Sequence, residues 1–353
     1  MECGVWSVVR IKTLTKIRIP IMDILMLCLL CVLVAEGFIC FDGVKQYSSI
    51  SLRFDTPISG QAAYLARQYS ITHIEDKTFW PTFWTEYKSS FSSEFAVVET
   101  LCVSYSGDAS LVQPATFIFG TSPGVLDGNG CAVSEALAWR LWGCTDVVGM
   151  SVEVDGTERV VLGVFKWKTE LAIISYSDND TTQSWSAVEL GGGPENAVRG
   201  DAEHYASASG LGKPTFILMG AMTFLAGAMA ALPLLVIACF GFGLLIGFVR
   251  KRYPTARIFI LFLTLFLFAI FLPAMLTMLP GWMIPTRWSD FSFWGSLLTQ
   301  ASGSLREFLS ARPQSRDVEL RLLLLKQAGV MFVAVCFSIA VCFKFVLNKT
   351  EKM

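Results

Sequence analysis

The chain has 353 residues, of which 53% are hydrophobic and only 16% charged, and its mean hydropathy is +0.54. This composition is typical of membrane proteins and excludes a simple pair of soluble domains. The net charge of -1 hides a division: residues 40–213 contain 11 Lys and Arg against 21 Asp and Glu, and the remainder contains 17 against 8. So acidic a segment argues against nucleic-acid binding and is expected on the outer side of a membrane.

Four segments are long and apolar enough to cross a bilayer, since about 20 apolar residues span its hydrocarbon core. They are residues 19–39, 215–249, 258–284 and 322–347. Basic groups precede the first, separate the second from the third and end the fourth, so the positive-inside rule predicts cytoplasmic termini. The predicted fold is an α-helical membrane protein with four transmembrane helices and an α+β extracytoplasmic domain inserted between helices 1 and 2. The remaining predicted parts are a cytoplasmic head (1–18), the outer domain (40–214), a short cytoplasmic loop (250–257), an outer loop (285–321) and a tail (348–353).

A cleaved signal peptide is the alternative interpretation of the first segment, because its head is basic. Asp23 interrupts the apolar run, however, and the sequence Val34-Ala35-Glu36-Gly37 does not provide an A-x-A cleavage site. The pattern therefore favours a retained helix.

The second segment is unusually long and rich in small residues. At about 1.5 Å per residue it exceeds a bilayer of about 30 Å, which predicts either a strong tilt or an outer stalk, and Pro233 could kink it. Small residues allow close packing of membrane helices, although glycine is also ordinary in such helices. The candidate packing positions are Gly220, Gly227, Gly241, Gly243 and Gly247.

The outer region shows the short mixed elements of an α+β domain. Residues 47–54 and 96–105 favour strands, residues 59–69 favour a helix, and residues 79–84 form an aromatic cluster interrupted by proline. Within residues 131–165, Ser134 is a natural N-cap for a helix ending near Leu141. Two strands follow, residues 151–154 and 160–165, and Asp155-Gly156 between them suits a hairpin turn.

No catalytic or metal-binding pattern accompanies these elements. His73 and His204 lack the companions of a nucleophile elbow or a zinc motif, and the outer region has no C-x-x-C. Residues 210–215 resemble a phosphate loop only superficially, because proline follows the lysine. Cys131 and Cys144 bracket the predicted helix and are a candidate disulfide in an oxidising compartment, although their spacing does not establish the required approach.

Ionisable residues are scarce within the predicted spans. Asp23 lies near one end of the first span, and Lys326 and Lys344 lie toward opposite ends of the fourth, where lysines reach the interface. Ion-driven transporters usually carry intramembrane carboxylates or histidines. The sequence therefore disfavours a secondary transporter.

The layout of one helix, a large outer domain and three further helices resembles the MacB-like and FtsX-like permease subunits of ABC transporters. The local resemblance is an apolar strand, a small helix ending in Leu/Phe-Gly, an acidic-apolar-Gly break and a hairpin ending Val-x-Gly-Val. In this chain the corresponding stretches are residues 131–135, 138–143, 146–149, 152–156 and 161–164, preceded by a Gly-containing loop at 120–130.

The resemblance implies a non-enzymatic subunit of the bacterial plasma membrane. It implies a homodimer or heterodimer of permeases bound to separate ATPase subunits, so that this chain carries no cofactor and ATP-Mg is held by the partner. It further implies that the long second helix passes ATP-driven motion to the outer domain, which exports or extracts a peptide, lipid or lipoprotein-like substrate.

Two departures from the family concern the loops. The family docks on its ATPase through a coupling helix after the second membrane helix, but here only residues 250–257 are present and Pro254 limits a helix. The ATPase-coupling candidates are Arg250, Lys251, Arg252, Tyr253 and Arg257. Conversely, the outer loop of residues 285–321 is longer than expected for the family. Its apolar residues at helical spacing predict an amphipathic helix that lies either at the membrane interface or on the outer domain.

The short loop keeps a second hypothesis open. The chain is then a membrane-anchored regulatory or assembly protein whose outer domain binds a partner, without transport activity. A membrane-embedded enzyme has no supporting constellation in the sequence.

Overall fold

The structure of the protein is a computed structural model. It describes residues 21–47, 49–74, 78–193, 199–218, 221–252, 262, 266, 291–310 and 314–350. The predicted cytoplasmic head, residues 253–257 of the short loop and nearly all of the predicted third membrane helix lie outside these residues.

In the first two thirds of the chain, short helices are interspersed among the strands. The helices are α1 (Ile21–Lys45), α2 (Gly60–Thr72), α3 (Ala109–Val112), α4 (Glu135–Trp142), α5 (Arg199–Ala208), α6 (Ala221–Arg252), α7 (Phe291–Ser310) and α8 (Ser315–Thr350). The strands are β1 (Ile50–Ser59), β2 (Phe79–Ser92), β3 (Val97–Ser106), β4 (Phe117–Gly120), β5 (Gly130–Ser134), β6 (Ser151–Val154), β7 (Thr157–Phe165), β8 (Leu171–Ser175), β9 (Ser184–Gly192) and β10 (Phe216–Leu218). The α+β class predicted for the outer region is confirmed.

The ten described strands form one mixed sheet in the order β10-β1-β9-β2-β3-β8-β5-β7-β4. Strand β6 lies off this path and pairs with both β2 and β7. Strands β2, β3, β8, β5, β7 and β6 therefore pair in a closed circuit, which leaves few strand edges exposed. The circuit and the remaining strands, β10, β1, β9 and β4, make up the sheet of the outer domain.

The circuit encloses its own apolar core. Val152 and Val154 point inward from β6, while Ser151 and Glu153 alternate to the exposed side. Phe91, Cys102 and many smaller residues fill the interior together with the buried face of α4. The other half of the sheet packs its apolar face against α2 and α5, and a third apolar cluster, which includes Trp84, Phe165 and Ala187, draws on strands of both halves.

The predicted helix and hairpin of residues 131–165 are confirmed. Ser134 caps α4 by accepting a 3.1 Å hydrogen bond from the Leu137 amide, and Gly143 ends the helix in the left-handed region at a φ of 71°. The β6–β7 turn uses Asp155 and Gly156, both with positive φ, as a two-residue hairpin of this kind requires. The sequence predicts that this strand begins at residue 160, but β7 begins at Thr157, because its pairing with β6 continues up to the turn.

Helices α1, α6 and α8 pack together as a bundle. Among the described residues these three contain stretches long and apolar enough to cross a membrane: Ile24–Lys45, Leu225–Gly243 and Ser315–Lys344. The predicted second segment begins at residue 215, but in the structure Phe216–Leu218 form β10 and pair with β1, so α6 begins at Ala221. Residues 216–218 are therefore an edge strand of the sheet and not the start of the helix.

Small residues line the bundle interior, as close helix packing in lipid requires. Ala226, Ala230 and Ala334 are fully buried there. Of the glycines predicted to pack, Gly227 lies against the ring of Phe41 on α1. Gly241 and Gly243 face open space within the described structure, the surroundings of Gly247 are not described, and Gly220 lies outside the described residues.

Candidate functional site at the junction of the sheet and α8

The N-terminus of α8 docks directly on the outer domain. We call this contact the junction. Its sheet side consists of Ser49, Ser51, Arg53, Trp84, Glu86 and Glu189, and its helix side of Ser315, Arg316 and Asp317. It is the point at which a membrane helix and the sheet share charged side chains.

The sheet register places the polar side chains of the junction on one face. Ser51 on β1 stands opposite Glu189 on β9, and Arg53 lies two residues farther along the same strand. Because side chains alternate between the faces of a strand, these three share one side. Leu52 and Val188, the intervening residues, point to the opposite side and belong to the apolar core.

Glu189 is the centre of the junction and is 0% exposed. Its Oε1 accepts hydrogen bonds from Ser51 Oγ at 2.6 Å, Arg53 at 3.1 Å and Trp84 Nε1 at 3.1 Å. The Arg316 guanidinium lies 2.6 Å from the same oxygen, and Ser49 Oγ donates to Oε2 at 2.8 Å. Five donors therefore satisfy the carboxylate, as a buried charge requires.

The two arginines link this carboxylate to α8. Arg53 stacks 4.7 Å from the Trp84 ring centroid and reaches Asp317 Oδ1 at 3.0 Å with its second terminal nitrogen. Arg316, only 3% exposed, also donates to Ser49 Oγ at 2.8 Å. The formal charges of Glu189, Asp317 and the two arginines cancel, which limits the cost of burying them.

Backbone contacts fix the first turn of α8 in the same place. Glu86 on β2 accepts from the Ser315 amide at 2.8 Å and from its hydroxyl at 2.6 Å. Asp317 accepts from the Gln314 amide at 3.3 Å, the arrangement of a capping box. Both carboxylates lie at the positive end of the helix dipole, which favours them electrostatically.

The arrangement fixes the first turn of α8 to the sheet through charged side chains. Each charged side chain is held by partners on a different element, and the described residues contain no His, Cys, Asp and Glu group suited to a metal ion. Removing one partner from a buried ion pair leaves an unpaired charge and costs about 3–5 kcal/mol. Rotation of α8 relative to the sheet would break several such contacts together, so these contacts oppose that rotation.

The bundle below the junction is tied together by a polar residue. Gln327 on α8 is fully buried and donates to Ala226 O on α6 at 2.7 Å and to Gly37 O on α1 at 3.4 Å. Lys326 pairs with Glu36 on α1 at 2.5 Å. The sequence placed Lys326 at a span end, reaching the interface, whereas here it links two helices.

An apolar cluster lies between the bundle and the sheet. Val44, Tyr47, Met222, Ala226 and Leu320 bring α1, α6 and α8 into contact there, and Leu305 of α7 packs against them. Burial, with a smaller effect from Glu319, raises the pKa of Tyr47 to about 12. The amphipathic helix predicted in the outer loop is thus present as α7 and touches this cluster.

The other residues singled out in the sequence do not belong to the junction. Arg250, Lys251 and Arg252 form the last turn of α6, and Tyr253 and Arg257 lie outside the described residues.

Cys131 is buried on β5, Cys144 follows α4, and both thiols are free in the structure, so their disulfide stays a prediction. Burial raises the pKa of the Cys131 thiol to about 12, which keeps it protonated and unreactive.

No motif in the sequence identifies the junction, although two local signals point to it. Glu189 stands between Val188 and Leu190 in an apolar strand, and a buried carboxylate there needs a partner. Arg316 and Asp317 directly precede the last apolar run. Only the sheet register and the docking of α8 show that these two signals concern one site.

Comparison with solved structures finds similar domains at low sequence identity. The extracellular domain of the noncanonic ABC-type transporter YknZ from Gram-positive bacteria is 11% identical, with a TM-score of 0.38, over 47% of this chain and 95% of that one. The periplasmic region of MacB from Actinobacillus actinomycetemcomitans is 11% identical, with a TM-score of 0.39, over 50% and 92%. A domain of a putative permease protein from Porphyromonas gingivalis is 12% identical, with a TM-score of 0.34, over 48% and 86%. No protein-family model matches the chain, and no curated protein matches it.

Proposed function

We propose that this chain is the permease subunit of an ABC transporter and that the junction passes motion between its membrane helices and its outer domain. The observation that carries the proposal is the buried network around Glu189, in which α8 and three strands share charges. The motif order in residues 120–165 and the three apolar helices support the same assignment. ATP hydrolysis takes place in a separate partner, and a second permease completes the complex.

Helix α8 is the element best suited to transmit motion. Its 36 residues extend about 54 Å at 1.5 Å per residue, well beyond a bilayer of about 30 Å. One end is held in the junction, and the other reaches across the membrane. The family resemblance implies this role for the second membrane helix, but the chain before α6 forms only the short strand β10, and residues 219–220 lie outside the described residues. We therefore assign transmission to α8.

The first experiment asks whether an ATPase is present. Purification of the tagged full chain from its native membranes in mild detergent should yield a stoichiometric ATPase subunit with a Walker motif. If a different protein, and no ATPase, co-purifies, the chain is instead a membrane-anchored regulatory or assembly protein. That outcome rejects the transporter assignment.

The second experiment tests the junction within that complex. Asp317→Asn removes the charge that Arg53 reaches across to α8, while most of the network around Glu189 is kept. We expect ATPase binding to persist and the ATP-dependent change in protease sensitivity of the outer domain to be lost. Asp180→Asn is the matched control, because Asp180 is a half-buried loop residue outside the junction whose carboxylate also accepts a local backbone hydrogen bond. An unchanged ATP response in Asp317→Asn contradicts transmission through the junction.

The end of α6 provides a third test. Reversal of Arg250, Lys251 and Arg252 to glutamate should abolish ATPase binding or misorient the helices, because these positions carry the predicted cytoplasmic charge. If ATPase binding, topology and the ATP response all survive, this turn has neither role.

A further inference from the structure

A cleft of about 760 Å³ lies on the closed-circuit half of the outer domain, away from the junction. One wall is the tip of the β2–β3 hairpin, which contributes Ser93, Glu94 and Phe95. The other wall is the β6–β7 hairpin with the residues just before it, and Trp142 from the end of α4 lies between the walls. Its volume is in the range of sites that bind small ligands or several peptide side chains.

The walls of this cleft carry negative charge that the described protein does not neutralise. Glu153 on β6 stands directly opposite Glu158 on β7, and Glu94 lies across the cleft. None of the three forms an ion pair with a described residue, and no lysine or arginine lines the cleft. Like charges directly opposite on paired strands destabilise a sheet. A cation entering the cleft relieves this repulsion.

Large apolar side chains lie beside these carboxylates. Phe95 at the hairpin tip is 76% exposed and Met150 is 40% exposed, while Trp142 is half-buried. Exposed aromatic rings attract ammonium and guanidinium groups and also bury apolar side chains. An inorganic cation would use only the carboxylates and leave this apolar surface in water. The cleft therefore matches a ligand that is both basic and apolar.

We propose that this cleft binds a basic amphipathic peptide segment. The lysine or arginine side chains pair with Glu153, Glu158 and Glu94, and the apolar side chains pack on Phe95, Met150 and Trp142. The charge complementarity and the directly opposed glutamates select this occupant over an acidic or purely apolar one. The site goes beyond the proposed transport function, since it needs neither an ATPase nor motion of the junction.

Binding is tested on the full chain in nanodiscs of zwitterionic lipid, in which a basic peptide finds no anionic lipid. The probe is a fluorescent peptide of alternating lysine and leucine, and a glutamate–leucine peptide is the comparison. We expect the basic peptide to bind and the acidic one not to bind. The double variant Glu153→Gln with Glu158→Gln should weaken binding at least about tenfold, since each ion pair near a partly buried site contributes a factor of several. Phe95→Ser should weaken it as well.

Glu99→Gln is the matched control, because Glu99 is an exposed strand glutamate of β3 outside the cleft. It should bind the peptide like the unaltered chain. Thermal unfolding of every variant is measured alongside, and the glutamine variants should be at least as stable as the unaltered chain, so that lost binding is not lost folding. Equal binding by the double variant, or equal binding of the acidic peptide, overturns the proposal. Because no ATPase is present, either result leaves the test of the proposed function intact.

Discussion

The outer domain uses glutamate in two opposite ways. Glu189 in the junction is fully buried and receives five donors from two strands, the residue before β1 and a membrane helix. Glu153 and Glu158 at the cleft are exposed, stand opposite each other and have no ion pair with a described residue. The residue type is the same, but the Glu189 carboxylate is satisfied by donors within the chain, whereas Glu153 and Glu158 have no ion-pair partner among the described residues.

The difference follows from where the sheet is covered. At the junction, α8 closes over the polar face, so every charge had to find a partner within the chain. At the cleft nothing in the described structure covers the hairpins, and water solvates the unpaired carboxylates there. A carboxylate that is paired within the chain holds two elements together, whereas an unpaired carboxylate is available to a ligand. Four measurements test this contrast, from the largest expected effect to the smallest.

The largest effect of a single substitution is expected from removing the central charge of the junction. Glu189→Leu leaves Arg53 and Arg316 buried without their shared partner, so the free energy of unfolding should fall by about 3–5 kcal/mol. Chemical unfolding of the full chain in mixed micelles, followed by tryptophan fluorescence, measures it, since Trp84 belongs to the network. Glu153→Leu is the matched variant at the cleft and should lose far less. Equal losses would remove the contrast between the two sites.

Alkaline pH tests the apolar cores of the outer domain through two buried tyrosines. Burial raises the pKa of Tyr105 and of Tyr205 to about 12, above the value of about 10 in unfolded chains. The folded state therefore keeps these protons longer than the unfolded state. This stability is fully present below pH 10 and is lost as the pH rises from about 10 to about 12, on the order of 3 kcal/mol per tyrosine.

Unfolding midpoints across this pH range, with tyrosinate absorbance, measure the loss. Tyr205→Phe is the control, because it removes one titrating hydroxyl, which contacts Ser70 at 2.9 Å. The variant should be less stable at neutral pH and show a smaller alkaline loss. An unchanged alkaline loss would mean that Tyr205 does not contribute to it.

A double-mutant cycle measures how strongly the sheet and α8 are coupled. The cycle combines Arg53→Met with Asp317→Asn, and we expect a coupling energy of about 1–3 kcal/mol, since the pair is largely buried and lies within a network. The control cycle uses Arg140 and Glu170, a pair with 67% and 34% exposed side chains, where water limits the coupling to under about 1 kcal/mol. Similar values for both cycles would contradict a rigid junction.

The smallest effect has the opposite sign. Glu153→Gln or Glu158→Gln removes repulsion between directly opposed charges, so the free energy of unfolding should stay the same or rise by about 0.2–1 kcal/mol. Thermal unfolding at low ionic strength shows the difference best, because salt screens exposed charges. A clear loss of stability would mean that these glutamates have a structural role and would weaken the case for a ligand site.

Local signals in the sequence were sufficient for the elements that depend on neighbouring residues. The cap at Ser134, the left-handed Gly143 and the Asp155-Gly156 turn all act within a few residues, and the structure has each of them. The proline in the aromatic cluster was misleading, since it lies within the long strand β2. Pro81 is tolerated because β2 pairs there with β9 alone, and pairing with β3 begins at Phe83.

The sequence by itself determined the apolar segments that form α1, α6 and α8, the acidic α+β outer region and the helix and hairpin of residues 131–165, since hydropathy, alternation and turn chemistry are short-range properties. The tertiary structure alone decided the closed circuit of strands, the junction and the cleft. Glu189 meets Arg316 across 127 positions of the chain, and Glu94 lies across the cleft from Glu153 only because the end of β2 pairs with β6. Charge partners of this kind depend on which strand lies beside which, and no local pattern contains that information.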